Sequence, residues 1–310
     1  MLGKKKKLLV VLAGPTASGK TEFSLKIAQH FGAEIISADS RQVYKEMKIG
    51  TAIPNTDELN TAKHHFIHNI SIHDNYNVGI YEKQVIDFLN YYFVNHEIAI
   101  LVGGTGLYID AILNGIDVFP DIDEKIKSKV IEDFNNCGIE LLQNELYEKD
   151  LKYYKSVDLN NPHRLIRAIS VIRQSGIKYS DFVNKNNIIR KFEHINFCID
   201  LPREVLYNRI NIRVDTMIYK GLIQEAKDLY EYKNMKALQT VGYKELFEYF
   251  DGLCSLDEAI GKIKQNTRRY AKRQMTWFRN KGNWNFIFPD KIENILNLIN
   301  KKIIEIQNGN

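Results

Sequence analysis

The stretch LLVVLAGPTASGKT, residues 8–21, decides the fold class of this chain. Residues 8–13 are a short apolar run rich in β-branched side chains, which predicts a buried strand of a parallel sheet. Residues 14–21 fit the pattern GxxxxGK[ST], in which glycines let backbone N–H groups point at phosphate oxygens. Apolar residues at helical spacing follow over 20–31, so the loop leads into a helix N-terminus that favours anions. The sequence therefore predicts an α/β fold with a phosphate loop for a diphosphate or triphosphate.

Two side chains of this loop have predicted roles beyond its backbone. Lys20 brings a positive charge to the phosphates, and the Thr21 hydroxyl is a predicted Mg²⁺ ligand. A chance glycine-rich turn is the alternative, and the position between a strand and a helix argues against it. The predicted phosphate-binding set comprises Gly14, Pro15, Thr16, Ala17, Ser18, Gly19, Lys20 and Thr21.

The rest of the chain alternates strand and helix patterns and then changes in character. Further strands are predicted at 33–38, 98–102, 194–201 and 284–288, and helices at 80–94, from about 107, and at about 291–307. Such alternation implies a parallel sheet with right-handed crossovers. A polar, helical pattern fills the chain from about 121 to 191. We therefore predict a P-loop NTPase-like core, 1–113 plus 193–310, interrupted by a helical insertion domain at 114–192.

Composition excludes several classes of protein. The chain has 310 residues, of which 44% are hydrophobic and 26% charged, which is typical of a soluble globular protein and not of a disordered or collagen-like one. The three cysteines are far apart in sequence, which argues against a disulfide framework and favours a reducing cytoplasm. The lysines at 4–7 and the apolar run after them resemble a signal peptide, but the run ends in the phosphate loop. No apolar run is long enough to predict a membrane span.

The small net charge of +5 is unevenly distributed. Residues 262–281 contain eight lysines and arginines and no acidic residue, with Tyr270, Trp277 and Phe278 interleaved. We interpret this stretch as a helix whose aromatic side chains face the core and whose arginines face nucleic-acid phosphates. The alternative is a solvated helix with no partner.

Asp39 is the carboxylate at a predicted strand end that lies nearest the phosphate loop. The strand at 98–102 ends in GGTG, without the acidic residue typical of a kinase or ATPase. The carboxyl ends of strands form the ligand-binding edge of open α/β sheets. Two functions are open for Asp39: metal binding, or general-base action on an incoming nucleophile. Capping a helix that begins near Arg41 is the structural alternative.

Four histidines, His64, His65, His68 and His73, lie within ten residues of one another. A metal site is the functional interpretation of this spacing. No cysteine lies close to them, and Asp74 is the nearby carboxylate. We therefore favour loop packing and substrate contact for the histidines.

Six sequence blocks occur in order along nearly the whole chain: GPTASGKT (14–21), ISADSRQVYKEMKIGTAIP (36–54), LVGGTGLY (101–108), NPHRLIRA (161–168), TVGYKE (240–245) and AKRQMTWFRN (271–280). Together they resemble the bacterial tRNA dimethylallyltransferases, also called tRNA isopentenyltransferases. The resemblance implies transfer of a dimethylallyl group from dimethylallyl diphosphate to N6 of adenosine 37, just 3′ of the anticodon, with release of diphosphate. It also implies a Mg²⁺ cofactor, the tRNA anticodon stem-loop as partner, no membrane association, and a monomeric, cytoplasmic enzyme.

The resemblance implies roles for individual residues. Asp39 matches the general base acting on N6, and Thr105 matches a position near the reacting base. Arg213 and Lys20 match the groups that hold diphosphate and stabilise the leaving charge. The catalytic set is thus Asp39, Thr105 and Arg213. The positions that match tRNA contacts are Asp39, Ser40, Arg41, Gln42, Thr105, Lys127, His163, Arg164, Leu165, Ile166 and Arg167.

Departures from the family pattern are few, and three other functions stay open. Lys63-His64-His65 stands where a Pro-His-His pattern is expected, and Asn69 where Asp is commoner. No Cys/His module follows Cys254, as in the shorter bacterial form. The other functions are prenylation of free AMP or ADP, phosphoryl transfer by a P-loop kinase, and RNA binding without catalysis. The insertion and the basic stretch favour tRNA, because a free nucleotide needs no clamp.

Overall fold

A six-stranded sheet forms the core of the protein. The computed structural model describes residues 7–183, 188–288 and 292–308. The strands are β1 (Leu8–Ala13), β2 (Ile35–Ser37), β3 (His64–His65), β4 (Ile98–Gly103), β5 (Glu193–Ile199) and β6 (Asn285–Ile287). Their order is β3-β2-β4-β1-β5-β6, and each neighbouring pair is parallel. The carboxyl ends of all the strands therefore meet at one edge of the sheet.

Helices connect these strands and extend the chain beyond them. Those of the core unit are α1 (Lys20–Phe31), α2 (Thr56–Thr61), α3 (Val78–Tyr92), α4 (Gly106–Asn114), α9 (Arg203–Tyr219), α10 (Leu222–Asp228), α11 (Tyr243–Phe250), α12 (Leu256–Asn280) and α13 (Ile292–Gln307). Between α4 and β5 the chain forms α5 (Glu124–Cys137), α6 (Ile139–Lys149), α7 (Leu151–Tyr154) and α8 (Pro162–Ser175). The predicted α/β alternation is therefore confirmed, with shifts of a few residues at the element ends.

The central strand β1 explains why the opening sequence is apolar on both faces. Side chains alternate across a strand, so Leu9 and Val11 join one hydrophobic core while Val10 and Leu12 join the other. All six residues of β1 are buried between β4 and β5. This continuous burial is the arrangement expected of a parallel sheet covered by helices on both sides.

The chain divides into two compact units, 1–113 plus 190–310 and 114–189. The second unit has its own core, in which Val130, Leu146 and Ile169 are fully buried. The predicted start of the returning core at 193 is three residues late. Arg190 already belongs to the core unit, because its guanidinium donates to the Glu82 carboxylate and to the Ala111 carbonyl oxygen.

Two local features differ from the sequence predictions. Residues 40–43 form a turn and not the helix that was the alternative explanation for Asp39. The short edge strand β3 was not predicted, since its two histidines carry no strand signal of their own. The basic residues at 4–6 lie outside the described residues. No helix in the described parts of the chain is both long and apolar enough to cross a bilayer.

Glu225 fixes the loop that follows the turn after β2. Its carboxylate accepts hydrogen bonds from the backbone N–H groups of Lys48, Ile49 and Gly50, at 2.8–3.1 Å. The Tyr243 hydroxyl donates to the same carboxylate at 2.7 Å. Hydrogen bonds to a charged acceptor are stronger than neutral ones. One side chain of α10 therefore positions a loop that has little regular structure of its own.

We expect Glu225→Gln to lower the free energy of unfolding of the core unit by about 2 kcal/mol, because one carboxylate oxygen becomes an NH₂ group facing N–H donors. Chemical denaturation of the full chain measures this change. Glu204→Gln, at an exposed position in the first turn of α9, is the control and should change stability by less than about 0.5 kcal/mol. Equal stability of the two variants would contradict the role given to Glu225.

Candidate functional site

A cavity of about 650 Å³ lies in the core unit at the carboxyl edge of the sheet. The end of β1 supplies residues 16–21 of the phosphate loop, and the end of β2 supplies residues 39–42. Gly103 and Gly104 come from the end of β4, while α9 and α12 close the opposite wall. The structure thus brings Lys20, Thr21, Asp39 and Arg213 to one cavity, as the sequence predicted.

The phosphate loop has the backbone shape of an anion-binding loop. Ala17 adopts the left-handed conformation at φ 63°, which costs energy for a residue with a side chain and is concentrated at ligand sites. The Ser18 hydroxyl is fully buried and has no hydrogen-bond partner in the described part of the chain. Gly14 and Pro15 do not line the cavity; their carbonyl oxygens accept hydrogen bonds from the Lys20 ammonium at 3.0 and 2.7 Å.

Positive charge dominates the cavity. Burial, reinforced by the like charge of Arg213, lowers the pKa of Lys20 to about 8, and the Asp39 carboxylate opposes this shift. Burial also lowers the pKa of the Arg213 guanidinium, again against the effect of Asp39. Arg41 and Arg209 line the same cavity. Because cations outnumber the single carboxylate, an anionic ligand is the group that best compensates this charge.

Asp39 lies in a tight turn that leaves one of its carboxylate oxygens free. Its Oδ1 accepts hydrogen bonds from the backbone N–H groups of Arg41 at 2.8 Å and Gln42 at 3.3 Å. Such a turn satisfies the backbone without a helix. Within the described residues no hydrogen bond reaches Oδ2, so this oxygen can accept one from a ligand.

Thr105 brackets Asp39 from the adjacent strand end. Its backbone N–H donates to the Ala38 carbonyl oxygen at 3.3 Å, and its hydroxyl accepts from the Ser40 N–H at 3.2 Å. The cavity wall includes Gly104 and does not include Thr105. The structure therefore places Thr105 where it fixes both neighbours of Asp39, beside the cavity and not on its surface.

Two of the α12 side chains that line the cavity, Tyr270 and Gln274, were not predicted as site residues. Tyr270 was expected to face the core; instead it lines the cavity. Burial, with the Asp39 charge as the next cause, raises the pKa of Tyr270 to about 12. Gln274 lines the same wall. The separation of four residues between them places both on one helix face, and this was the available signal.

The remaining aromatic side chains of α12 pack inward as predicted. Phe278 is buried, and its ring contacts those of Trp277 and Trp284 edge-on. Trp277 is partly buried against the same core. Only part of the prediction for this stretch is thus confirmed, because Tyr270 belongs to the cavity.

The basic residues of α12 other than Arg268, which donates to the Asn211 side chain, fall into two groups. Lys262, Lys264 and Arg279 form ion pairs with Glu248, Asp215 and Asp200 respectively. Three others, Arg269, Lys272 and Arg273, line one shallow surface depression together with Thr276. No ion pair joins these three to an acidic residue in the described parts of the chain. We call these three side chains the open basic face.

The predicted tRNA-contact residues of the helical unit have different environments. His163, Arg164 and Arg167 are exposed on α8, and Lys127 is exposed on α5 with Glu124 as its ion-pair partner. Leu165 is fully buried in the core of this unit, so the prediction of an RNA contact is wrong for its side chain. Ile166 packs against that core and is partly buried. Along a helix, core and surface positions alternate, so a contiguous sequence motif contains both kinds of residue. The motif alone does not show which of its residues are exposed to a partner.

Three of the four clustered histidines are engaged separately, whereas Nε2 of His68 is buried without a hydrogen-bond partner in the described part of the chain. His65 contacts the Glu34 carboxylate at 2.5 Å, and His64 contacts the Ala62 carbonyl oxygen at 2.8 Å. The His73 ring packs edge-on against Tyr232. Among the described residues, no three His, Cys, Asp or Glu side chains are grouped so that they could hold a metal ion.

Comparisons with known proteins agree over most of the chain. The model of the family described as IPP transferase matches residues 42–281. A protein of Christiangramia forsetii named tRNA dimethylallyltransferase is 51% identical over 297 residues, which cover 95% of this chain and 98% of that protein. A protein of the same name from Flavobacterium johnsoniae is 49% identical over 283 residues, with 89% and 92% covered.

Solved structures show the same likeness in three dimensions. The tRNA isopentenylpyrophosphate transferase of Bacillus halodurans has a TM-score of 0.73 and 35% identity, covering 98% of this chain and 99% of that one. A eukaryotic dimethylallyltransferase, described as acting on tRNA, has a TM-score of 0.77 and 26% identity, with 96% and 80% covered. The likeness in sequence and fold leads to one conclusion: the chain belongs to the IPP transferase family.

Proposed function

We propose that this protein is a tRNA dimethylallyltransferase that moves the dimethylallyl group of dimethylallyl diphosphate to N6 of adenosine 37 in tRNA. The observation that carries the proposal is the single cavity in which the phosphate loop, two half-buried cations and the free oxygen of Asp39 meet. The relatives named tRNA dimethylallyltransferase support the reaction. The match to the first of these relatives covers 98% of that protein, so the comparison concerns nearly the whole length of both chains and not a shared fragment.

The phosphate-loop end of the cavity suits the diphosphate of the donor. Lys20 and Arg213 supply positive charge, and the unpartnered Ser18 hydroxyl is a donor that a phosphate oxygen would satisfy. When the bond between the donor's C1 and its oxygen breaks, negative charge grows on the departing diphosphate. Buried cations stabilise such charge more strongly than exposed ones, since water screens them less.

The residues present also fit a Mg²⁺ cofactor. The Thr21 hydroxyl and the Asp39 carboxylate are oxygen donors that both line the cavity, and Mg²⁺ usually combines one or two protein oxygens with substrate phosphates and water. Thr21 is the side chain that would hold it, as in other phosphate loops. When bound, the ion would neutralise part of the diphosphate charge.

Asp39 has the chemistry needed at the acceptor end. The N6 amine is a poor nucleophile, because its lone pair is delocalised into the purine ring. N6 forms a bond to C1 of the donor while the C1–O bond breaks and its electron pair leaves on diphosphate. The N6 proton passes to the free Asp39 oxygen, which makes Asp39 the general base.

A large acceptor is supported by cations that a free nucleotide would not use. The open basic face of α12 and the exposed His163, Arg164 and Arg167 can each contact backbone phosphates. An adenine stacked in an RNA loop must be extruded before its N6 can enter a cavity. We further propose a monomeric, cytoplasmic enzyme; the three free cysteines support a reducing compartment.

Incubation of the protein with unmodified tRNA, dimethylallyl diphosphate and Mg²⁺, followed by mass analysis of the nucleosides, tests the proposal directly. We expect N6-dimethylallyl adenosine from tRNA. Parallel reactions with AMP and with ATP as a phosphoryl donor separate the other activities. Turnover of AMP with none of tRNA, or phosphorylation without any prenyl donor, would contradict the proposed function.

Asp39→Asn should lower kcat by about 10²–10⁴-fold, because the amide cannot accept the N6 proton. Asparagine keeps the oxygen that accepts from the Arg41 and Gln42 N–H groups, so the turn should survive. We therefore expect the tRNA dissociation constant to change by less than about threefold. Single-turnover rates and filter binding measure the two quantities. A variant with intact turnover and weakened tRNA binding would show that Asp39 is not the base.

Donor binding should weaken as the pH rises through about 8, where Lys20 loses its proton in the unliganded protein. Only the protonated ammonium attracts diphosphate, so the dissociation constant of a non-reactive donor analogue should increase between neutral and alkaline pH. Lys20→Arg is the matched control, because arginine stays charged throughout this range. Dividing the dissociation constant of the unmodified protein by that of Lys20→Arg at each pH cancels the effect of ionisation of the ligand itself. A ratio independent of pH would contradict the role given to Lys20.

Replacing both Lys272 and Arg273 with alanine should weaken tRNA binding and make the slope of log K against log salt shallower by about one to two. Donor binding should stay unchanged, because neither side chain lines the main cavity. The control is Lys262→Ala on the same helix, where the ammonium is already paired with Glu248. An equal loss of slope in the control would show that the open basic face has no special role.

A further inference from the structure

Gln274 joins two loops of the active site through side-chain hydrogen bonds. Its Oε1 accepts a hydrogen bond from the Thr16 backbone N–H at 3.0 Å, and its Nε2 donates to the Gly104 carbonyl oxygen at 2.9 Å. The side chain is 8% exposed. Both polar atoms of one nearly buried amide are thus used, one on each loop.

The two loops hold the two reaction partners of the proposed transfer. Thr16 belongs to the phosphate loop, which takes the diphosphate of the donor. Gly104 immediately precedes Thr105, which binds the backbone on both sides of Asp39. The Gln274 amide therefore adds a side-chain link between the donor loop and the turn that holds the general base, beyond the sheet pairing of Ala13 with Gly103.

The Gln274 amide packs closely against the Gly104 backbone. A Cβ atom on Gly104 would lie 2.3 Å from Nε2 of Gln274, closer than any real contact. The neighbouring residues Met275 and Phe278 are buried, so the helix that carries Gln274 is anchored in the core. The amide is therefore held against the turn by packing as well as by hydrogen bonds.

We propose that Gln274 is a positioning residue that sets the distance between the diphosphate-binding loop and the general base Asp39. It touches neither reacting atom; it acts through Thr16 and through the turn at 104–105. A bond between N6 and C1 forms only when donor and acceptor are aligned, and a misplacement of about 1 Å can cost about 10²-fold in rate. This inference rests on the proposed function.

Gln274→Met tests the inference, because methionine has a similar length and volume but makes neither hydrogen bond. We expect kcat for tRNA prenylation to fall by about 10–100-fold while the KM values for donor and tRNA change by less than about threefold. Gln265→Met, at an exposed position of the same helix, is the control and should match the unmodified protein. A purely structural role predicts instead a lower melting temperature with unchanged kcat per folded molecule.

A double-mutant cycle with Gly104→Ala adds a readout that loss of stability cannot mimic. The new methyl group displaces the Gln274 amide, so both variants break the same link. We therefore expect Gln274→Met combined with Gly104→Ala to be no slower than the slower single variant. Where the methionine variant does not fold, Gln274→Glu, which retains the acceptor for Thr16 and loses the donor to Gly104, replaces it in both measurements.

Two results would overturn the inference: a kcat of Gln274→Met equal to that of the Gln265→Met control, or independent, multiplicative losses in the double variant. Failure of the proposed function gives a different result. In that case the unmodified protein itself forms no prenylated tRNA, whereas failure of the inference leaves an active protein whose kcat does not depend on Gln274.

Discussion

The close approach of Gly103 to Ala38 is the constraint on which the site depends. A Cβ atom on Gly103 would lie 2.1 Å from the Ala38 carbonyl oxygen, so the ends of β4 and β2 meet only because this residue is glycine. That contact brings Thr105 within hydrogen-bond distance of Ala38 and Ser40. The position of Asp39 is thus set by two strand ends together, with the phosphate loop on the neighbouring strand β1.

The cost of burying charge explains why the cavity needs its ligand. Lys20 and Arg213 are half-buried near one carboxylate, and burial lowers the pKa of each cation. The Asp39 charge opposes both shifts. In the proposed reaction the second Asp39 oxygen accepts a proton, and diphosphate compensates the excess positive charge without using that oxygen. The two cations would then favour both donor binding and the departure of diphosphate.

Local sequence patterns predicted the parts of this protein that are determined locally. The apolar run of β1, the phosphate loop and the position of Asp39 each follow from a few adjacent residues. Tyr270 and Gln274 were missed as site residues because their roles depend on which face of α12 meets the sheet edge, a tertiary property. Leu165 was misassigned for the same reason: a motif quoted as a block mixes core and surface positions of a helix. The chain re-enters the core unit at Arg190, which forms an ion pair with Glu82. A contact between residues so far apart in sequence cannot be predicted from a change in composition.

The distribution of charge on α12 matters more than its amount. The net charge of +5 says little about a partner. The eight basic residues at 262–281, counted from the sequence, overestimate the positive charge that this stretch can offer to nucleic acid. Several of them are neutralised within the core unit by Glu248, Asp215 and Asp200. Three of the other five, which lie within about one helical turn, form the open basic face on the helix that also carries Tyr270 and Gln274 into the cavity. A helix is rigid over two turns. In the proposed complex with tRNA, α12 would therefore hold a phosphate backbone bound to its open basic face at a fixed distance from the cavity.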